Sequence, residues 1–209
     1  MQIPNKTLSE KFSIDSFVTT LTRLVDFSLS LKVALCQNKL SGKLPDFSTL
    51  TRLRVLDVRE NRFGSKLSAM PQGSVTALLA KNLFSGEIPP QVGISTHLQH
   101  LDLSLNHLSG TPPSTLSDLP NLSYLNLASN KLGGLLPKQI TYGSKLGFAD
   151  FSSNKLVGEL PSCLDNKSDK KVVKFGGNCL SIEGQQQNQS SHCKEANTRK
   201  TEEIFNSKP

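Results

Sequence analysis

Tryptophan is absent from this chain of 209 residues, and so is every familiar piece of catalytic machinery. No Gly-rich phosphate loop and no His-Arg-Asp catalytic loop occurs. His97, His100, His107 and His192 do not fall at a metal-ligand spacing with cysteines or carboxylates. The sequence therefore predicts no enzyme, no metal and no cofactor. No run reaches the ~18 apolar residues of a membrane helix. Residues 16–35 come closest, but Arg23, Asp26 and Lys32 interrupt them. The opening Met1-Gln2-Ile3-Pro4 lacks the basic start and apolar stretch of a secretory leader.

Charge excludes less. The net charge is +7, yet a nucleic-acid reading needs a basic stripe or aromatic platforms. The densest basic run is Lys170-Lys171-Val172-Val173-Lys174, beside Asp165 and Asp169. It reads as a solvated segment, and no nucleic-acid partner is expected. Long-range attraction to an acidic polysaccharide or an anionic membrane surface is the other reading of such a charge. Hydrophobic residues make up only 36%, low for a globular core.

What the chain does have is period. Asn82, Asn106, Asn130, Asn154 and Asn178 lie 24 residues apart, and Asn38 and Asn61 extend the series at intervals of 23 and 21. Apolar residues keep fixed offsets before each one: Leu119, Leu122, Leu125 and Leu127 before Asn130, and Leu50, Leu53, Leu56 and Val58 before Asn61. The last two of each set are spaced by two, which is strand spacing. The Asn ends the strand, and its carboxamide is expected to turn inward onto backbone groups freed by the bend, because a buried amide persists only when paired. A fixed period of this length with locked leucines marks a solenoid. Strands of neighbouring coils stack about 4.8 Å apart, so seven coils predict a rod on the order of 30 Å long with a thin core.

A second block follows each Asn. It reads Leu40-Ser41-Gly42-Lys43-Leu44-Pro45, then Phe84-Ser85-Gly86-Glu87-Ile88-Pro89, and recurs at Leu108 and Leu156. Gly stands four residues after the Asn in five coils and Pro seven after. Glycine suits a positive φ or a close approach, and proline closes a stretch that needs no donor.

This pattern resembles the plant-type extracellular leucine-rich repeat, with unit LxxLxxLxLxxNxLSGxIPxx, over roughly residues 22–180. The stretch Val172 to Leu180, followed by Gln185-Gln186-Gln187 and His192-Cys193, is similar to the end of the ectodomain in leucine-rich repeat receptor-like kinases, most of all the subgroup described as inactive kinases. The resemblance implies an α/β-type repeat solenoid. This is a right-handed superhelix with a concave parallel β-sheet and short 3-10 or irregular convex segments. It also implies a protein or peptide ligand or a co-receptor as partner, and the extracellular side of the plasma membrane as location. A kinase-like domain would lie beyond residue 209, so the chain reads as a fragment or an incomplete reading frame. A secreted, stand-alone repeat protein that inhibits a wall-degrading enzyme is the alternative.

Departures from the unit carry expectations too. Phe63-Gly64-Ser65 replaces Leu-Ser-Gly in the second coil, Ser68 replaces the Pro, and Ser74 replaces the first Leu of the third coil. They predict an irregular, poorly packed turn near residues 62–76. Ser30 weakens the first coil, and the family's N-terminal cap with paired cysteines and Trp is missing. The expected organisation is a frayed N-terminal segment at 1–22, a solenoid of about seven coils at 23–180, and a polar cap remnant and tail at 181–209. Cys36 lies about six coils from the other cysteines, far beyond the ~7 Å Cα limit for a bridge. At most one pair forms among Cys163, Cys179 and Cys193: Cys179–Cys193 as a cap, or Cys163–Cys179. The remaining reading is that all are reduced. Asn-x-Ser/Thr glycosylation acceptors stand at Asn5, Asn121, Asn166 and Asn188, with Asn121 expected to face solvent.

Positions between the inward leucines should point to the concave surface. Asp57, Asp102, Asn126 and Asp150 share one offset, and Tyr124 and Phe148 lie one coil apart. These six are the candidate partner surface, since aromatics dominate binding energy at interfaces.

Overall fold

The computed structural model describes residues 31–47, 50–136, 145–160 and 171–182, and the backbone of 185–186. Its main sheet has seven parallel strands: Leu31–Ala34, Leu53–Asp57, Thr76–Leu78, His100–Asp102, Tyr124–Asn126, Phe148–Asp150 and Val172–Lys174. Each is laid beside the next in chain order. Register follows the sequence period. Thr76 pairs with His100, His100 with Tyr124, Tyr124 with Phe148, and Phe148 with Val172, a step of 24 each time. The two shorter Asn intervals reappear as Lys32 beside Val55 and Val55 beside Thr76.

The middle residue of each strand points into the core. Val33, Leu56, Ala77, Leu101, Leu125, Ala149 and Val173 form one buried column. Leu53, Leu98, Leu122 and Leu146 form another, and Leu35, Val58, Leu79, Leu103, Leu127 and Phe151 a third. Burying one such side chain is worth about 1.5–3 kcal/mol, so the repeat itself supplies the cohesion that a globular core supplies elsewhere. Helix is nearly absent among the described residues. The convex side carries two short 3-10 turns, Pro90–Ile94 and Ser114–Leu116, beside irregular backbone.

The asparagines are the staples. Asn106 donates from Nδ2 to Leu79 O of the preceding coil at 3.1 Å and to Leu103 O of its own at 3.0 Å, and its Oδ1 accepts Phe84 N at 3.1 Å. Asn61, Asn82, Asn130, Asn154 and Asn178 repeat both halves of this pattern. Each amide thus ties two coils. Among the described residues, the side-chain amide of Asn38, in the first described coil, bonds only within its own turn, and its Oδ1 meets no donor.

A second parallel sheet runs along the flank: Ser85–Glu87, His107–Gly110, Lys131–Leu135, Lys155–Glu159 and Cys179–Ile182, closed by antiparallel Gln185–Gln186. Its register is two residues shorter than the period. Ser85 pairs with His107, Ser109 with Lys131, and Gly133 with Lys155, a step of 22. The glycine of each coil has a second reason here. Gly134 has φ +76°, and a Cβ on it would lie 2.2 Å from Thr111 Oγ1. At Gly110 the side chain of Glu87 occupies the same place. The residue that follows each glycine lies across the glycine of the next coil.

The second coil corrects an expectation. Residues 64–75 hold no regular element, as their sequence predicts, but they are not poorly packed. Phe63, Leu67 and Met70 are buried, and Phe63 stacks on Phe84 with centroids 6.4 Å apart. Phenylalanine fills the leucine site, and the flexible Met70 fills the gap left by the shortened interval. Ser74 is wholly buried, with its Oγ unpaired among the described residues.

Candidate binding face

The candidate surface begins six residues before each Asn, where in-register strands place side chains of equal offset side by side. The column there reads Thr76, His100, Tyr124, Phe148 and Val172. Strands about 4.8 Å apart bring such side chains within contact distance. Tyr124 and Phe148 stack with centroids 4.7 Å apart and planes 9° apart. His100 joins Tyr124 at 6.0 Å and 24°. Lys174 sets its Nζ 5.6 Å from the Phe148 centroid, a cation–π contact at the far end. The expectation of neighbouring aromatics holds, and the stack is longer than the sequence reading had it. His100 carries the same offset of six, which was the signal available for it.

Rings stacked from strand to strand turn their edges, not their faces, toward the opening. An aromatic edge carries partial positive charge and the face negative. The stack therefore presents ring hydrogens, the His100 imidazole, the Tyr124 hydroxyl and the Lys174 ammonium, a row with electropositive character. Partial burial raises the Tyr124 hydroxyl above the ordinary tyrosine range, Asp102 and Asp150 adding to the effect and the Asn126 contact opposing it. The hydroxyl stays protonated at any physiological pH and remains a donor.

The acidic column four before the Asn has a different employment. Asp102 accepts both Ser104 N at 3.0 Å and Ser104 Oγ at 2.7 Å on Oδ1. Asp150 does the same for Ser152, at 2.9 and 2.6 Å. Asn126 accepts Ala128 N at 3.1 Å and reaches Tyr124 Oη with Nδ2 at 3.4 Å. Asp57 is buried and paired with Arg59, whose Nε and Nη2 lie 2.9 and 2.8 Å away. These carboxylates cap the turn that leaves the strand. Each keeps a second oxygen, Oδ2, which at Asp57 is spent on Arg59 and at Asp102 and Asp150 takes no bond to those serines. Beside this ladder, burial and then Asp57 push the Cys36 thiol up, so it stays protonated.

Other sequence-predicted sites divide. Asn121 is only partly exposed and its Nδ2, the atom a glycan would take, donates to Thr96 O at 2.9 Å. Lys145 Nζ bonds its Oδ1. Cys179 is disulfide-bonded and Cys36 is free. Cys163 and Cys193, and acceptors Asn5, Asn166 and Asn188, lie outside the described residues. Among the described residues, no three His, Cys, Asp or Glu side chains converge as a metal site would require, and no helix is long and apolar enough to cross a membrane.

Residues 92–157 match the family model for the leucine rich repeat. No curated protein matches the chain in sequence. Solved structures do. The TDR receptor superposes at TM-score 0.63 and 28% identity, over 76% of this chain and 28% of that one. The Arabidopsis receptor kinase HAESA, solved with the peptide hormone IDA and the co-receptor SERK1, superposes at 0.62 and 27% identity, over 78% of this chain and 31% of that one. A plant ice-binding protein reaches 0.67 at 25% identity, over 76% of this chain and 53% of its own. The chain thus spans less than a third of the two receptors. The leucine-rich repeat fold is non-catalytic in general, and no kinase domain is evident in this chain. Parallel strands stacked coil on coil, and the amides that staple them, make the chain a leucine-rich repeat solenoid in fold, similar to the ectodomains of plant receptor kinases.

Proposed function

We propose that this chain is the ligand-recognition part of a plant receptor-like kinase, acting on the outer side of the plasma membrane and binding an extended peptide, or a protein loop, across its concave sheet. The observation that carries the reading is the His100–Tyr124–Phe148 stack with Lys174 at its end. Ring edges, a hydroxyl and an ammonium in a row suit the carbonyls of an extended backbone. Asp102 and Asp150, standing beside the row, suit basic groups on the ligand. Rigid, preorganised aromatics also lose little entropy on binding, which favours them as anchors. HAESA, a relative at 27% identity, is solved with a peptide hormone and a co-receptor, which supports the same mode of use here. The ice-binding relative is a reminder that the scaffold alone does not choose the ligand.

A displayed library of random extended peptides, selected on the full chain, tests this. Sequence families should be enriched that lose at least about tenfold in affinity on a Tyr124→Ala/Phe148→Ala double variant, the scale of a ~1.4 kcal/mol anchor. Enriched peptides that bind the double variant equally well would overturn it. N-linked glycosylation at Asn121 belongs to the same proposal. It requires the Nδ2 bond to Thr96 to be given up, and intact-mass measurement of secreted protein decides it.

A further inference from the structure

We propose that the flanking sheet is a second binding surface, independent of the concave one, for a linear polysaccharide that carries carboxylates along its length. In the last coil the residue one past the structural Asn is the buried Cys179; in the other six it is Lys39, Arg62, Leu83, His107, Lys131 and Lys155. All six are exposed. Four are permanent cations, and among the described residues Lys39, Arg62, Lys131 and Lys155 form no ion pair. Both ion pairs described lie at the concave strands and the bends that leave them, Asp57–Arg59 and Glu60–Lys81. Five past the Asn, the sequence adds two more cations, Lys43 and Lys66, against Glu87, Glu159 and Glu183. This flank therefore carries a net positive charge.

The geometry selects a line. Because the flank is two residues short of the period, equivalent residues of neighbouring coils are displaced about 4.8 Å across and ~6.6 Å along the strands, so roughly 8 Å apart. That is too far for contact, and cations can follow one another without internal counter-ions. It is also no more than about one screening length in physiological salt, so their fields add. Three steps of the row have a serine companion. Ser41 pairs with Arg62, Ser85 with His107, and Ser109 with Lys131, while Gly133 pairs with Lys155. Lys66 is laid across the next coil, its Cγ 3.1 Å from where a Gly86 Cβ would stand, so its stem is held. Two neighbouring pairs of cations, Lys39–Arg62 and Lys131–Lys155, separated along the row by Leu83 and His107 and with serine hydroxyls beside them, fit carboxylates and sugar hydroxyls spaced along a chain. They fit nucleic acid poorly, because these outward positions hold no Phe or Tyr on which bases could stack. Five of the six permanent cations in coils one, two, five and six are point-charge lysines rather than the fork that phosphate favours.

Binding of the full chain to de-esterified polygalacturonate, measured at several salt concentrations, tests the proposal. Affinity should fall steeply with salt. A Lys131→Glu/Lys155→Glu variant should bind at least about tenfold more weakly, since each exposed charge contact is individually modest and the reversal both removes and repels. Lys131→Gln/Lys155→Gln should fall between. Lys171→Glu/Lys174→Glu, with the same net charge change on the concave side, should retain most of the binding. Equal losses for the two reversed pairs would overturn the proposal, as would tighter binding to phosphatidylserine vesicles or single-stranded DNA than to polygalacturonate. Unchanged circular dichroism identifies variants that remain folded, and the Gln pair serves if the Glu pair does not.

Discussion

The concave and flanking sheets are built from the same coils and meet at the same asparagines, yet they carry side chains in opposite ways. On the concave sheet the register equals the period, so like positions stand side by side: His100, Tyr124 and Phe148 stack. On the flank the register falls two residues short, so like positions drift along the strands. In-register columns reward groups that attract one another, such as rings. Sheared columns admit groups that repel, such as lysines. One repeat thereby offers an aromatic row on one face and a cationic file on the other. The relation of register to period, not the repeat alone, decides which chemistry a column can hold.

The seam between the sheets is where that comparison is most easily broken. Asn106→Ala should have the largest effect. It removes three carbonyl bonds and leaves Phe84 N buried without a partner, a loss of about 2–4 kcal/mol in denaturant unfolding, spread over both sheets. Asn130→Ala, at a less buried rung, should cost somewhat less, and equal melting temperatures for wild type and both variants would deny the staple role. Next comes the flank alone. Gly134→Ala meets a positive φ and the Thr111 side chain, and should cost roughly 1–3 kcal/mol while leaving concave ligands bound normally. Thr111→Gly on that background should recover part of the loss; no recovery would mean the cost is all backbone.

Smaller effects sharpen the concave side. Tyr124→Ala should destabilise by about 0.5–1.5 kcal/mol through lost stacking, mainly a ligand defect rather than a folding one. Asp102→Ala should cost about 0.5–1.5 kcal/mol by freeing Ser104, whereas Asp102→Asn, which keeps an acceptor, should be near neutral. The smallest effect is a gain. Gln37, Glu60, Lys81, Leu105, Ser129 and Ser153 all have φ near +55°, and Leu105 is the one apolar, 48% exposed member. Leu105→Asn should raise stability by about 0.5 kcal/mol, since asparagine tolerates the left-handed region better. A fall instead would mean that Leu105 packs on its neighbours.

Much of this was legible beforehand, for a particular reason. A solenoid repeats its local environment, so an Asn at one offset predicts all of them, and the concave neighbours Tyr124 and Phe148 could be paired by counting. His100 enters the sequence reading only among the histidines weighed as metal ligands, where its shared offset with Tyr124 and Phe148 plays no part. Asp102 and Asp150 were read as open to a partner. The serine two residues on, which takes Oδ1, is visible in Asp102-Leu103-Ser104 and Asp150-Phe151-Ser152. The turn at 62–76 was read as loose because its pattern breaks; Met70 and Phe63 pack it all the same, since a gap in a stack is filled by whatever apolar volume is near.

The sequence by itself determined the period, the inward leucines and the amide staples, because each depends on spacing along the chain and on the rule that buried polar groups must be paired. Only the tertiary structure decided how far neighbouring coils slide against one another on each face. That slide is set by stacking across about 22 to 24 intervening residues, which no local pattern encodes. It is this offset that turned one set of side chains into a stack of rings and another into a file of separated charges.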